Sequence, residues 1–292
     1  MNQAYKYLLP EDMRLVSSFE FAVKALVEGY LSGKHRSRQR GASTEFHEYR
    51  HYSPGDDLSL VDWRVFARTD RHYLKTFEQE TQMECHIFVD SSASMGFDDG
   101  AKYSKLDYTS FFAACLAWLV ASKNDRVSLL TFDNQVRHFI PPSGKRQHLH
   151  QILATLEQNK PGNRTSLAAS LHKAQPLLKH KGTMIIISDF LDDPAAIFKA
   201  LNHYLHRGFR IHLFQVLTPG ECQLRDRGLA RFEDMESGER LVLHTPSFAT
   251  IYRETMDRHL QTLRSLAVPR GVNYSLARTD SSYITLFDRL AE

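Results

Sequence analysis

Residues 85–96 read CHIFVDSSASMG, and the fold follows from how this stretch is parsed. His86-Ile87-Phe88-Val89 is a short apolar strand that ends at Asp90 and runs straight into a turn rich in hydroxyl side chains. Working outward, a helix is expected over 104–122, a strand over Val127–Phe132 and an edge-like strand over Val136–Ile140, closed by Pro141-Pro142. Helices over 146–156 and 166–178 lead to strand Thr183–Ser188, then a helix over 193–207 and strand Arg210–Leu217. Past Pro219 the rhythm breaks into an excursion with a hairpin at about 221–246. A long helix over 247–267, a strand Val272–Ala277 and a terminal helix follow it. Strands that are apolar nearly throughout and alternate with helices predict an α/β fold of three layers, a mostly parallel sheet with helices on both faces. The sequence places this domain at 85–292 and a smaller helix-plus-β-rich region at 1–84.

In that front region, Leu15, Val16, Phe19, Val23, Leu26, Val27 and Tyr30 line one face of a helix over 11–31, with Gly29 and Gly33 bracketing its stop. Lys34, Arg36, Arg38 and Arg40 then form a short basic run, read as a solvated loop, with a phosphate-contacting patch as the sharper alternative. No aromatic side chains interleave with it as single-stranded nucleic acid would require, so nucleic acid is not expected as a partner. Residues 44–82 are dense in charge and aromatics, and short alternating stretches at Val61–Ala67 and His72–Phe77 suggest strands. Asp56, Asp57, Asp62 and Asp70 interleave with Arg50, Arg64, Arg68 and Arg71, a pattern suited to an ion-pair network or to a docking surface, with acid–base or metal work by the Asp56-Asp57 pair as a third alternative.

Composition narrows the function classes. A chain of 292 residues, 42% hydrophobic and 24% charged, has globular usage and not that of a disordered protein. A formal net charge of +3 is too small to imply nucleic-acid or membrane binding by bulk charge. Cys85, Cys115 and Cys222 cannot all pair, which argues against a disulfide framework and for a reducing compartment. Glu11, Asp12, Glu20 and Glu28 break up the first thirty residues, and the longest apolar run, 111–121, is shorter than the ~20 residues of a membrane span. The expectation is a soluble, cytoplasmic chain without a membrane span. No phosphate-binding loop, dinucleotide fingerprint or nucleophile elbow is present. Ser92 stands where an aspartyl-phosphate enzyme needs a second Asp. Among fifteen histidines only His148/His150 and His203/His206 are close pairs, and nothing completes a zinc set around them.

Ligands of open α/β sheets bind beyond the carboxyl ends of the strands. Three segments fall there: Asp90-Ser91-Ser92-Ala93-Ser94 after the first core strand, Thr165 at a helix start, and Ser188-Asp189 after the run Met184–Ile187. Each alone reads as a cap or a turn. Together they offer only oxygen, which selects Mg²⁺, or Mn²⁺ or Ca²⁺, over zinc or copper. The candidate metal ligands are Asp90, Ser92, Ser94, Thr165 and Asp189. Two carboxylates and three hydroxyls leave such an ion with charge to spare, so the chemistry favours capture of a partner's Asp or Glu.

Asp90-x-Ser92-x-Ser94 with Thr165 and Asp189 resembles the metal-ion-dependent adhesion site of the von Willebrand factor type A fold. The upstream text narrows the resemblance: Glu45-Phe46, Tyr49-Arg50, Pro54-Gly55-Asp56-Asp57, Asp62-Trp63-Arg64 and Ala67-Arg68-Thr69-Asp70 are similar to the signature of domain-of-unknown-function family number fifty-eight. Lys105-Leu106-Asp107-Tyr108 and Ser188-Asp189-Phe190-Leu191 extend the match, although Phe190 stands where the broader type A pattern often has Gly. The resemblance implies a type A core behind a small β-rich region, in the subgroup lacking N-terminal membrane helices. It also implies association with a MoxR-type AAA+ ATPase in chaperone-like or metal-insertion work. The reading that results is a non-enzymatic, metal-assisted protein-interaction module, an adaptor or co-chaperone of such an ATPase acting on protein clients. A metal-dependent hydrolase using the same ion is the alternative.

Overall fold

Strand β3 (Glu84–Asp90) is buried at every residue, and the sheet is built outward from it. The computed structural model describes residues 19–38, 49–51, 63–69, 73–75, 83–164, 166–226 and 228–290. The chain divides into two compact units, one made of Met83–Glu292 with the chain up to Tyr30, the other within Leu31–Gln82. Among the described residues no helix is long and apolar enough to cross a membrane.

The larger unit holds a six-stranded sheet. Its strands are β3, β4 (Arg126–Phe132), β5 (Val136–Ser143), β6 (Thr183–Ser188), β7 (Arg210–Leu217) and β10 (Asn273–Arg278), in the spatial order β10-β7-β6-β3-β4-β5. All neighbours run parallel except β5, which pairs antiparallel with β4 at the edge. From β3 the chain moves to β4 on one side and later returns to β6 on the other. The β3/β6 crevice is therefore the topological switch point, where an open α/β sheet leaves room for a ligand.

Alternation along the strands supplies both helical layers. Phe88, Leu130, Met184, Ile186, Ile211 and Leu213 face α5 (Leu167–Ala174), α6 (Pro194–His206) and α8 (Thr245–Ala267) in one apolar cluster. On the opposite face α3 (Lys105–Ala121) lies across β3, β4, β6 and β7, and Phe112 meets Phe214 edge-on at 5.0 Å. A helix that is apolar all round is buried all round, and α3 is buried from Lys105 through most of its length. The other helices of this unit are α4 (Arg146–Glu157), α7 (Pro219–Cys222) and α9 (Tyr283–Leu290), and β8 (Leu229–Glu233) with β9 (Arg240–His244) forms the hairpin of the excursion. This is the three-layer, mostly parallel architecture expected from the sequence.

Helix α1 (Phe19–Arg38) buries Ala22, Val23, Leu26, Val27 and Tyr30. Phe19 meets Phe111 edge-on at 5.8 Å, and the Tyr30 hydroxyl donates to Asp288 at 3.0 Å. The helix does not stop at Gly29 or Gly33 but runs through Lys34–Arg38, so the basic run up to Arg38 is helical and not a loop. A helical glycine costs about 1 kcal/mol and terminates nothing by itself. Residues 11–18, 39 and 40 lie outside the described residues.

In the smaller unit β1 (Tyr49–His51) pairs antiparallel with β2 (Tyr73–Lys75), and α2 covers Trp63–Thr69. The stretch Val61–Ala67, expected as a strand, is thus helical from Trp63 on. Trp63 and Phe66, three apart, meet edge-on at 6.0 Å, so period three outweighs the alternation of Val61, Trp63, Val65 and Ala67. Asp56, Asp57, Asp62, Asp70 and Arg71 of the charged pattern lie outside the described residues.

Two proline effects differ from expectation. Strand β5 carries through Pro141-Pro142 to Ser143, because an edge strand with register shifts tolerates residues that cannot donate. The helix expected to reach Leu178 ends at Ala174 and tightens into a 3₁₀ turn over Gln175–Leu177, where Pro176 has no N–H to offer.

Candidate functional site

Asp90 is the last residue of β3 and is fully buried. Its Oδ1 accepts the Ser92 N–H at 2.9 Å and its Oδ2 accepts the Ser188 hydroxyl at 2.6 Å, so the ends of β3 and β6 are tied across the switch point. Ser92 precedes the 3₁₀ turn Ala93–Gly96, which swings Ser94 back over the strand ends. The Ser92 and Ser94 hydroxyl oxygens are 3.1 Å apart, and Ser94 donates to Asp189 Oδ2 at 2.8 Å. Four of the five expected ligands, Asp90, Ser92, Ser94 and Asp189, therefore converge. Thr165 lies outside the described residues. Its loop comes against the same turn through Gly162 N–H to Ser91 O at 2.7 Å and Ala93 N–H to Asn163 O at 3.0 Å. A Cβ at Gly162 would sit 2.5 Å from Asp133 Oδ2 and 3.1 Å from the Ser91 carbonyl, so a side chain there would crowd this contact.

Two charged residues complete the site that sequence reasoning did not place in it. Lys105, the first residue of α3, is 0% exposed, and its Nζ donates to Asp189 Oδ2 at 2.9 Å and to Glu221 Oε1 at 2.6 Å. Glu221 is fixed in turn by a reciprocal cap at α7: its Oε2 accepts the Thr218 N–H at 2.8 Å while its own N–H donates to Thr218 Oγ1. A signal for Lys105 was present in the sequence. A lysine opening a helix as apolar as 105–121 sits at the positive end of the helix dipole and must find carboxylates. Gln215 on β7 supports the β6 loop by donating to the Asp189 carbonyl at 2.7 Å, and it accepts from the Tyr274 hydroxyl.

Phe190 adopts the left-handed region, φ 50°, directly after Asp189. This is a costly conformation for a bulky residue, which explains why glycine often stands there in the broader pattern. It is held by burial of the ring, by its N–H donating to Ser188 Oγ at 3.1 Å and by its carbonyl 2.7 Å from His259 Nε2. The turn aims the Asp189 side chain back across the strand ends toward Ser94.

The electrostatics separate the two aspartates. Burial, and then the charge of Asp189, push the Asp90 carboxyl up to about 7, against the pull of its hydrogen bonds from Ser188 and Ser92. Burial also raises Asp189, but the charge and hydrogen bond of Lys105, with the Ser94 hydroxyl, outweigh it and leave this group below the ordinary carboxylate range. Burial would lower Lys105, yet Asp189 and Glu221 together hold it above its ordinary value.

The residues present fit a hard divalent cation. The oxygen–oxygen separations of 3.1 Å (Ser92–Ser94) and 2.8 Å (Ser94–Asp189) bracket the edge of an octahedron with metal–oxygen bonds of about 2.1 Å, which is about 3.0 Å. Asp90, Asp189 and Glu221, with Asp192 also feeling the charge of Asp189, stand against the single Lys105 ammonium, an excess of acid that a divalent ion would offset. Among the described residues no three His, Cys, Asp or Glu side chains group as metal ligands. Of the histidine pairs, His148 Nε2 lies 2.8 Å from the Val127 carbonyl, His150 Nδ1 lies 3.2 Å from Glu20, and His203 is edge-on to Tyr204.

Residues 48–262 match the family model described as "Protein of unknown function DUF58". The uncharacterized protein Rv1480 of Mycobacterium tuberculosis (strain ATCC 25618 / H37Rv) is 31% identical over 232 residues, covering 78% of this chain and 72% of that protein. Protein Mb1516 of Mycobacterium bovis gives the same figures. Among solved structures, an aerotolerance-related membrane protein from Bacteroides fragilis NCTC 9343 superposes with a TM-score of 0.50 at 16% identity, over 72% of this chain and 98% of that one. The SpRpn10 VWA domain superposes with a TM-score of 0.43 at 10% identity, over 72% of this chain and 94% of that one.

Proposed function

The chain belongs to the DUF58 family and has a von Willebrand factor type A-like fold, and from that premise we propose that it is a metal-assisted protein-interaction module. It performs no reaction of its own and serves as an adaptor or co-chaperone that joins a MoxR-type AAA+ ATPase to protein clients. The ATPase and the clients come from the family resemblance. The observation that carries the interaction reading is the convergence of Asp90, Ser92, Ser94 and Asp189 at the switch point.

In this reading Asp90, Ser92, Ser94 and Thr165 hold Mg²⁺ directly and Asp189 does so directly or through water. When bound, the ion supplies an electrophilic position that a partner's Asp or Glu oxygen can fill. The chain's own part is preorganisation. Ser188 and the Ser92 N–H orient Asp90, the 3₁₀ turn with the Ser92 that precedes it presents two hydroxyls, and Gln215 with the Phe190 turn fixes Asp189. A buried site set this rigidly spends little ordering free energy when a partner arrives.

The test is co-purification of the full chain with the MoxR-type ATPase of the same organism, in Mg²⁺ and in EDTA. Asp90→Asn, which keeps the shape of the side chain, and Asp90→Ala are run alongside. Complex formation should require Mg²⁺ and be lost in both variants while the circular dichroism spectrum is retained. A complex that survives both EDTA and the Asp90 substitutions overturns the metal-assisted mechanism.

A further inference from the structure

Lys105 is the unusual member of this site. Its ammonium is 0% exposed, opens a helix at the positive end of the dipole and stands beside the residues expected to hold a cation. It does not point at a single counter-ion but is shared between two carboxylates that approach from different elements. Asp189 follows β6, and Glu221 lies on α7 at the root of the excursion. The oxygen it contacts on the aspartate, Oδ2, is the same one that receives the Ser94 hydroxyl. An ion that draws on Asp189 must therefore share that carboxylate with a fixed positive charge.

Glu221 is placed to relieve this conflict. One of its oxygens holds Lys105 at 2.6 Å, the other is locked by the Thr218 N–H, and its carbonyl accepts the Tyr252 hydroxyl at 2.8 Å from α8. Its side chain is 16% exposed, against 0% for the lysine, so it reaches the edge of the site from outside. The more of the ammonium's charge Glu221 balances, the less of Asp189 is spent on it.

Resting on the metal reading above, we propose that Lys105 is an internal competitor for the metal position and that Glu221 counterbalances it, the pair setting how tightly the site holds a divalent ion. Lys105 holds Asp189 in place without an ion and opposes the ion electrostatically, while Glu221 draws the ammonium away. The arrangement keeps the site's affinity moderate and makes it depend on the α7 turn from which the excursion departs. A purely structural role for Lys105, neutralising Asp189 so that it can be buried, gives a different pattern of variants. Removing either partner would then loosen the site and weaken the ion.

The discriminating experiment is titration of the full chain with Mn²⁺ alone, by calorimetry and by the electron paramagnetic resonance of free Mn²⁺. Wild type, Asp90→Asn, Lys105→Gln and Glu221→Gln are compared. Lys105→Gln keeps amide donors for Asp189 but removes the charge, and it should tighten Mn²⁺ by about tenfold or more. Glu221→Gln leaves the ammonium to Asp189 alone and should weaken Mn²⁺ by about fivefold or more. Opposite signs support the competitor, whereas weakening or no change in a folded Lys105→Gln overturns it. Should Lys105→Gln not fold, unchanged or tighter binding in Glu221→Gln still overturns the proposal. Saturable binding in the wild type that Asp90→Asn abolishes, with neither Lys105 nor Glu221 mattering, leaves the metal reading intact and removes only this inference. Binding seen in Lys105→Gln but not in the wild type supports the competitor and overturns the metal reading for the native chain. No binding in either overturns both.

Discussion

His86 shows how one side chain can set a pH limit far from the candidate site. It sits on β3 opposite Ser128, with its Nδ1 2.8 Å from the serine hydroxyl and its ring fully buried. Burial lowers its pKa to about 4, with the Arg207 charge adding to the effect and a backbone hydrogen bond at His180 opposing it. The unfolded chain takes up this proton near pH 6.5, and the folded chain does not until about pH 4. Stability from this group is therefore fully present above about pH 6.5 and is lost as pH falls toward 4. The loss is at most about 3 kcal/mol, because the Glu84 carboxylate 3.6 Å from Nε2 favours the charged ring. Asp90, raised to about 7, contributes the opposite slope between about pH 7.5 and 4.5, so the His86 share is read as a difference: urea midpoints of the wild type should fall more, or rise less, on acidification than those of His86→Gln. An equal slope in the variant would assign the acid sensitivity to other groups. At this scale the sequence was legible where the signal is local. Asp90, Ser92 and Ser94 declare themselves by their spacing after an apolar strand. Asp189 does so by following the apolar run Met184–Ile187, but the pairing of Lys105 with Asp189 and Glu221 does not, since these partners lie 84 and 116 residues from the lysine and only the folded sheet brings them together.

At the scale of elements, the site depends on how closely β3 and β6 run. Gly182 enters β6 against Glu84 at the start of β3, and a Cβ on it would fall onto the Glu84 carbonyl oxygen. That obstacle is backbone, which cannot rotate away as a side chain can, so Gly182→Ala has to push the two central strands apart. We expect a loss of about 2–4 kcal/mol by chemical denaturation. Gly271→Ala is the comparison: φ is 65° there but the space around it is open, and about 1 kcal/mol is expected. Equal costs at the two glycines would rule out the close approach as the cause. The elements themselves were readable in proportion to their burial. Strands β6 and β7 follow from uninterrupted apolar runs, and their ends were predicted at Thr183–Ser188 and Arg210–Leu217, where they are found. The failures lie where the pattern is short or contradictory. Seven residues at 61–67 satisfy period two and period three alike. The end of α1 could not be read from its glycines, because the burial of Val27 and Tyr30 carries the helix past Gly29.

For the whole molecule, the switch point joins fold and function in one equilibrium. The strands that carry Asp90 and Asp189 are central in the sheet, so the site assembles only when the sheet does. An ion bound there stabilises the folded chain alone, by RT ln(1 + [L]/Kd), which is about 2.7 kcal/mol at a hundredfold excess over Kd. For a chain of this size each kcal/mol moves the melting temperature by about 2–4 °C. Saturating Mg²⁺ should therefore raise Tm by about 5–10 °C, EDTA should reverse the rise, and Asp90→Asn should melt at one temperature with or without the ion. The shift must also follow the logarithm of Mg²⁺ concentration above Kd, as a specific site requires and general salt screening does not. An equal rise from NaCl at matched ionic strength, or a full rise in Asp90→Asn, would mean that the oxygens of Asp90, Ser92, Ser94 and Asp189 hold only one another. The site's hydrogen bonds would then be complete as they stand, and the convergence of three loops at the β3/β6 crevice would be a structural knot and not a place where a partner's carboxylate is received.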